Sequence, residues 1–213
     1  MNPIRALLVP LALLAAARAA ADEGMLLSPG APQAQWSALF GALGAKGTVF
    51  APFTERRFFP FRREPTVLRG LLRFSADRGL SLQYTDPVPS VLVADPSGLL
   101  VRDKDGRSRE IPAGSRETGA VAALLPIMRF DLQALYPRFA IRAMGSAAGW
   151  TIAFTPSDPE VAGSLGEIAV GGAGTDVRRI EFRRSASQRI EIDVGATRSG
   201  VPFTPEELRL FFR

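Results

Sequence analysis

The chain has 213 residues and contains neither cysteine nor histidine. Without cysteine there is no disulfide, no thiolate metal site and no redox motif. Without histidine, Ser-His-Asp chemistry, the usual zinc sites and the commonest general base are excluded. An enzyme built on this chain would have to work with carboxylates, lysine or tyrosine alone. Lysine is scarce too: Lys46 and Lys104 are the only two, so nearly all the positive charge is arginine. Beyond the N-terminal segment no apolar run approaches the roughly 20 residues of a membrane-spanning helix.

The N-terminal segment itself reads in three parts. Met1 to Arg5 is a short basic start, Ala6 to Ala17 is apolar, and Ala17-Arg18-Ala19-Ala20-Ala21 offers small residues at A-x-A spacing. That is the layout of a secretory signal peptide over residues 1–21, with cleavage expected after Ala21 or Ala19. Pro10, Arg18 and then Asp22-Glu23 argue against a membrane anchor. No cysteine follows to be acylated. The expectation is a periplasmic protein released from the membrane, with one domain over residues 22–213. The formal net charge is +5, but Arg5 and Arg18 leave with the signal and acidic residues are scattered among the arginines. Nucleic-acid binders concentrate their charge, so nucleic acid is not expected as a partner.

Apolar residues at Trp36, Leu39, Phe40 and Leu43 recur at helical spacing, and Gly44 to Gly47 ends that helix. The period then changes to two. Leu68, Gly70, Leu72 and Phe74 share one face; Leu80, Leu82 and Tyr84 follow, then Val91 and Val93, then Leu99 and Val101. Turn residues such as Asp77-Arg78-Gly79 and Asp95-Pro96-Ser97-Gly98 separate these runs, which predicts an antiparallel meander. Val121, Leu124, Leu125 and Met128 return to helical spacing over Thr118 to Phe130, with a kink expected at Pro126 and a further turn capped by Asp131. Alternation resumes through Phe139–Ile141, Trp150–Phe154, Ile168–Val170, Ile180–Phe182 and Ile190–Val194. The fold class is mainly β with a few helices: a curved antiparallel sheet or incomplete β-barrel of about ten or eleven strands, lidded by short helices.

Several motifs have plain structural readings. Gly171-Gly172-Ala173-Gly174 lacks the Gly-Lys-Ser/Thr of a phosphate loop and reads as a hairpin turn. Asp103 and Asp105 lie in a Gly-ended turn. Thr204-Pro205-Glu206-Glu207 reads as a capping box opening a terminal helix. In Arg56-Arg57-Phe58-Phe59-Pro60-Phe61-Arg62-Arg63, phenylalanines are expected to enter the core while arginines stay solvated, with lipid contact as the lesser reading. The candidate ligand site is a hydrophobic cavity beneath the helices. Its expected lining is Trp36, Phe40, Leu68, Leu72, Phe74, Leu80, Leu82, Tyr84, Val91, Val93, Leu124, Leu125 and Met128. No catalytic residue, metal or cofactor is expected.

Phe53-Thr54-Glu55-Arg56-Arg57, Gly70-Leu71-Leu72-Arg73-Phe74, Leu80-Ser81-Leu82-Gln83-Tyr84, Asp86-Pro87 and Val91-Leu92-Val93-Ala94-Asp95 stand in the order of a known family. The apolar helix, Trp150 to Phe154, Pro156-Ser157-Asp158 and the strands ending at Val194 continue it. The chain resembles the periplasmic lipoprotein carrier LolA, in a divergent branch. The resemblance implies a monomeric, non-enzymatic carrier. It would bind lipoprotein acyl chains, receive them from an inner-membrane transporter and pass them to an outer-membrane receptor. Ala76-Asp77 stands where the family's carriers have Arg-Pro, and Leu82 where they have tryptophan. These departures keep open a glycolipid or pigment-like lipid as cargo. A periplasmic sensor or interaction domain of the same fold, and a His-free glycosidase, are the other classes.

Overall fold

The structure, a computed structural model, describes residues 24–30, 33–112 and 125–213, with the side chains of Glu160 and Ser164 left aside. The expected signal peptide, Val121 and Leu124 lie outside the described residues. The strands are β1 Met25–Leu27, β2 Thr48–Phe58, β3 Thr66–Ser75, β4 Gly79–Asp86, β5 Ser90–Asp95, β6 Gly98–Arg102, β7 Ser108–Pro112, β8 Phe139–Ser146, β9 Gly149–Pro156, β10 Glu167–Ala173, β11 Asp176–Arg183, β12 Arg189–Val194 and β13 Arg198–Ser199. The named helices are α1 Ala34–Gly44, α2 Leu132–Leu135, α3 Pro159–Leu165 and α4 Pro205–Phe211. A further helical turn occupies 125–128.

All thirteen strands of the described residues belong to one antiparallel sheet, in the order β1-β8-β9-β10-β11-β12-β2-β3-β4-β5-β6-β7, with β13 added to β2. Two meanders, β2–β7 and β8–β12, are thus sewn together where β12 pairs with β2. Among the described residues β1 and β7 stand at the two ends of this order and do not pair with each other, so the sheet is open, as the curved-sheet expectation has it, and not a closed barrel. The edges explain why. β7 is polar and mostly exposed and ends on Pro112, which has no N–H to give a ladder, while β1 is three residues long. Among the described residues the strand count is thirteen, not ten or eleven, partly because β1 and β13 are too short to display alternation.

Alternation gives the sheet one apolar face and, over β2, β12 and β11, a charged opposite face. Phe53, Leu72, Phe74, Leu80, Leu82, Ile141, Ile152, Phe154, Ile168, Val170, Ile180 and Ile192 form one buried cluster with Trp36, Phe40 and Leu43 of α1 and with Ile127, Phe130 and Leu135. On the opposite face of β2, β12 and β11, Arg56 pairs with Asp193, Arg179 Nη2 lies 3.0 Å from Glu191 Oε2, and Arg189 Nε lies 2.8 Å from Glu191 Oε1. Burial pushes the Glu191 carboxyl up, but Arg189 and Arg179 outweigh it and hold it below the usual range. A face this charged stays in water, so α1 and the segment 125–135 cover the other.

Two glycines permit close approaches. A Cβ on Gly70 would stand 2.0 Å from the Gln83 carbonyl oxygen and 2.9 Å from the Phe53 ring. A Cβ on Gly172 would stand 2.6 Å from the Trp150 ring, whose indole N–H donates to the Gly174 carbonyl at 2.9 Å. The β10–β11 glycine run is therefore a hairpin, as its composition predicts, and it accommodates Trp150. Asp131 caps α2 through Gln133 N and Ala134 N. Asp103 Oδ1 accepts from Asp105 N and Arg107 N, both at 2.9 Å, which makes that carboxylate a turn element.

The β2–β3 hairpin departs from expectation. Phe61 is not in the core but 82% exposed. Phe58 lies under the Arg189 guanidinium, 3.7 Å from centroid to charge. Phe61 stands close before Thr66, the start of β3, so the turn reverses before its side chain can reach the inner face.

Candidate functional site

The apolar face meets a roof made by α1 and the segment 125–135. Helical spacing puts Trp36, Phe40 and Leu43 on the side of α1 that faces the sheet. Phe40 and Phe130 meet edge to face, with ring centroids 5.8 Å apart and planes at 80°, joining the two parts of the roof. Phe130 has φ of +53°, a left-handed conformation that costs a bulky residue about 1–3 kcal/mol. The fold holds it there at the end of the 125–128 turn.

Of the expected lining, Leu68, Leu72, Phe74, Leu80, Leu82 and Tyr84 share the inner face with Trp36, Phe40 and Met128, and Leu125 is buried but outside that cluster. Leu124 lies outside the described residues. Val91 and Val93 do not belong with them. Val93 pairs with Ser81 and Val91 with Gln83, whereas Leu80 and Leu82 pair with Ala94 and Leu92. The inner positions of β5 are thus Leu92 and Ala94, and both valines face the other side. With Val91-Leu92-Val93-Ala94 apolar throughout, the strand has no alternation to reveal which parity is inner.

Most of the interior is packed. Trp36, Phe40, Leu80, Leu82, Tyr84 and Leu125 are core side chains rather than walls of an empty chamber. Among the described residues a cavity of about 50 Å³ is bordered by Leu72, Phe74 and Met128 of the expected set. Its other apolar walls are Leu43, Val49, Ile127, Phe130, Val170, Val177, Ile180 and Val194, with Lys46, Thr175 and Thr197 as polar members. The alternation of β10, β11 and β12 contains the signal for Val170, Ile180 and Val194. What it lacks is the pairing of β12 with β2, which sets those residues opposite β3.

Lys46, in the turn after α1, reaches Asp176 Oδ1 at 3.2 Å in the first position of β11. This ion pair ties the roof to the β10–β11 hairpin beside the cavity. The indole Nε1 of Trp36 is buried with no hydrogen-bond partner among the described residues, an arrangement that typically costs about 1–3 kcal/mol.

A polar cluster sits on the inner face toward the other end of β2. Glu55 is only 2% exposed. Its Oε2 accepts from the Tyr84 phenol at 2.8 Å and its Oε1 from Arg57 Nε. Burial and the Glu55 carboxylate push the Tyr84 phenol above its ordinary range. Burial lowers the Arg57 guanidinium, and pairing with Glu55 and Tyr84 more than compensates. The triad satisfies its own charges in an apolar setting. Among the described residues no group of acidic side chains is placed to hold a metal ion, and no helix is long and apolar enough to cross a membrane.

No curated protein matches the chain in sequence. Among solved structures it is similar to a LolA superfamily protein from Nitrosomonas europaea, at 7% identity and a TM-score of 0.44, covering 82% of this chain and 96% of that one. It is also similar to the Pseudomonas aeruginosa MucA/MucB complex structure, at 14% identity and a TM-score of 0.45, covering 81% of this chain and 60% of that one. LprF from Mycobacterium bovis is similar at 12% identity and a TM-score of 0.32, covering 82% and 97%. Residues 101–205, just under half of the chain, match the family described as outer membrane lipoprotein carrier protein LolA-like, and over that span the chain is similar to it.

Proposed function

We propose that this chain is a periplasmic carrier that shelters the acyl part of a lipoprotein or related amphiphile between its sheet and its helical roof. The observation that carries the reading is the cavity beside Leu72, Phe74, Met128 and Phe130, apolar in depth and edged by Lys46, Thr175 and Thr197. An amphiphile fits that gradient: hydrocarbon inward, polar head toward the lysine and threonines. At about 50 Å³ the closed form holds little cargo, so loading requires the roof to lift. Residue Phe130, held in a strained conformation, and the ion pair Lys46–Asp176 are where that movement would begin. Each CH₂ moved from water into such an interior contributes roughly 0.8 kcal/mol, enough over a long chain to offset the packing between roof and sheet that opening disrupts.

The transfer is binding and release, with no covalent step in the carrier. Export by cleavage of residues 1–21, loading at an inner-membrane transporter and delivery to an outer-membrane receptor complete the proposal. The test is native mass spectrometry and lipid extraction on protein purified from the periplasm, alongside titration with a fluorescent fatty-acyl probe. Co-purified acylated cargo and saturable probe binding are expected. Protein that is free of lipid and also fails to bind the probe would overturn the reading.

A further inference from the structure

The end of the sheet opposite the cavity has a different chemistry. The cavity is bordered by the first residues of β2 and β11 and the last of β3 and β12. At the other ends of those strands, the β2–β3 turn runs Phe59-Pro60-Phe61-Arg62-Arg63-Glu64-Pro65. Phe61 is the most exposed of the large hydrophobic residues described. The Phe59 ring stacks on it, centroids 5.5 Å apart and planes at 21°. Two stacked aromatic rings at the tip of a hairpin gain nothing from water.

The sheet order places a second apolar tip beside the first. β3 pairs with β4, so the β4–β5 turn, Pro87-Val88-Pro89, leaves the sheet at the same end. Val88 is 60% exposed. Prolines at 60, 65, 87 and 89 fix φ in both turns and stiffen them. On the far side of β2, the β11–β12 turn carries Arg184 and no acid between Ser185 and Gln188.

Charge around the tips is unbalanced toward positive. Arg62 and Arg63 are exposed, and Arg62 is steadied by Thr66 Oγ1 at 2.7 Å. Glu64 opposes them within the tip. The acids nearest the strand ends are already engaged: Asp86 by Arg69, Glu55 by Arg57 and Glu181 by Arg183. Lys104 and Arg107 balance Asp103 and Asp105 in the β6–β7 turn.

We propose that the β2–β3 tip, supported by the β4–β5 tip, docks on the surface of an anionic lipid bilayer. Phe59, Phe61 and Val88 enter the boundary between headgroups and acyl chains while Arg62 and Arg63 contact lipid phosphates. Convex aromatic protrusions with flanking arginines suit a deformable, negatively charged surface. The surface is separate from the cavity, and the inference does not depend on what the interior carries.

The test is co-sedimentation of the full-length mature protein with phosphatidylglycerol/phosphatidylethanolamine vesicles and with phosphatidylcholine vesicles. Binding to the anionic vesicles, weakened by salt, is expected. Phe61→Ser should weaken it roughly ten- to a hundredfold, from the transfer free energy of one phenylalanine. Arg62→Gln and Arg63→Gln should each weaken it roughly fivefold. All three should keep the parent's melting temperature and its acyl-probe binding. Phe61→Trp should show a blue-shifted emission increment with anionic vesicles, quenched by brominated acyl chains. Equal binding to both vesicle types, binding unaffected by Phe61→Ser, or no emission change in Phe61→Trp would overturn the proposal. So would self-association abolished by Phe61→Ser without vesicle binding, which would assign the tip to a second copy.

Discussion

Lys46 Nζ lies 3.2 Å from Asp176 Oδ1, joining two turns separated by 130 positions of sequence at the edge of the interior cavity. Lys46 is one of two lysines in the chain, and its side chain is largely buried while Asp176 is mostly exposed. A pair open to solvent on one side contributes little to stability, about 0–1 kcal/mol. Its consequence should instead be kinetic. Asp176→Asn and Lys46→Met are expected to speed uptake of a fatty-acyl probe in stopped-flow fluorescence several-fold, with the melting temperature nearly unchanged. Raising the salt should speed the parent toward the variants and leave the variants alone. Uptake equally fast in parent and variants would remove the latch from the mechanism.

The cavity and the packed core respond differently to substitution. Val177 is half-buried on the cavity wall, and Val177→Phe adds volume where there is empty space. Probe binding should fall at least tenfold while thermal stability holds or rises, since filling a cavity restores dispersion attraction. Leu82 is buried in the cluster away from the wall. Leu82→Asp should unfold the protein, because an unpaired carboxylate there costs several kcal/mol. Circular dichroism melts beside probe titrations separate the two outcomes.

The contrast between these two residues also shows what the sequence can and cannot disclose. The parity of Leu72, Phe74, Leu80 and Leu82 is legible because polar or charged residues interrupt the apolar ones. It is lost in β5, where Val91 to Ala94 is apolar on both faces; one side meets the roof, and Val93 and Leu100 are buried on the other. Caps and turns are legible from local chemistry, as at Asp131, Asp103 and Thr204. The place of the cavity is not. It depends on the pairing of β12 with β2, a contact between residues more than 130 positions apart, and on how far Phe40 and Phe130 fill the space beneath the roof. Neither leaves a local trace.

Tyr84 and Glu55 make a separable prediction. Tyr84→Phe would leave the Glu55 Oε2 without its phenol partner in a buried site, at a cost of about 1–3 kcal/mol measurable by urea denaturation. In a Tyr136→Phe background Tyr84 is the sole phenol. Its folded-state pKa lies above the unfolded value, through burial and the Glu55 carboxylate. The stability it contributes is therefore complete below the ordinary phenol range and is lost as pH rises through the folded pKa. Phenolate absorbance in that background should stay low through the ordinary phenol range and rise together with loss of structure. A phenolate signal developing normally in the folded protein would contradict the buried pairing.

The C-terminal helix α4 tests a different part of the sheet, the outer face of β3 to β6. Phe212 is buried, the Phe211 ring lies 3.6 Å from the Arg73 guanidinium, and Arg102 donates to the Phe212 carbonyl at 3.0 Å. Seven residues are too few to hold a helix alone, so docking and capping must do it. Thr204 Oγ1 accepts from Glu207 N at 3.2 Å, and Glu207 Oε2 accepts from Thr204 N at 2.9 Å. Thr204→Ala should cost about 1 kcal/mol and speed amide exchange over 205–211, leaving the inner face and acyl-probe binding untouched. The Thr204 backbone N–H holds the Glu207 carboxyl below its usual range. A depressed carboxylate contributes stability above its unfolded pKa and loses it as pH falls through the folded pKa. Amide protection of α4 should accordingly decline on acidification through that window, and this part of the pH dependence should be absent from Glu207→Ala. Protection in Glu207→Ala that falls with pH as in the parent would show that the docking arginines, and not the cap, hold the helix in place.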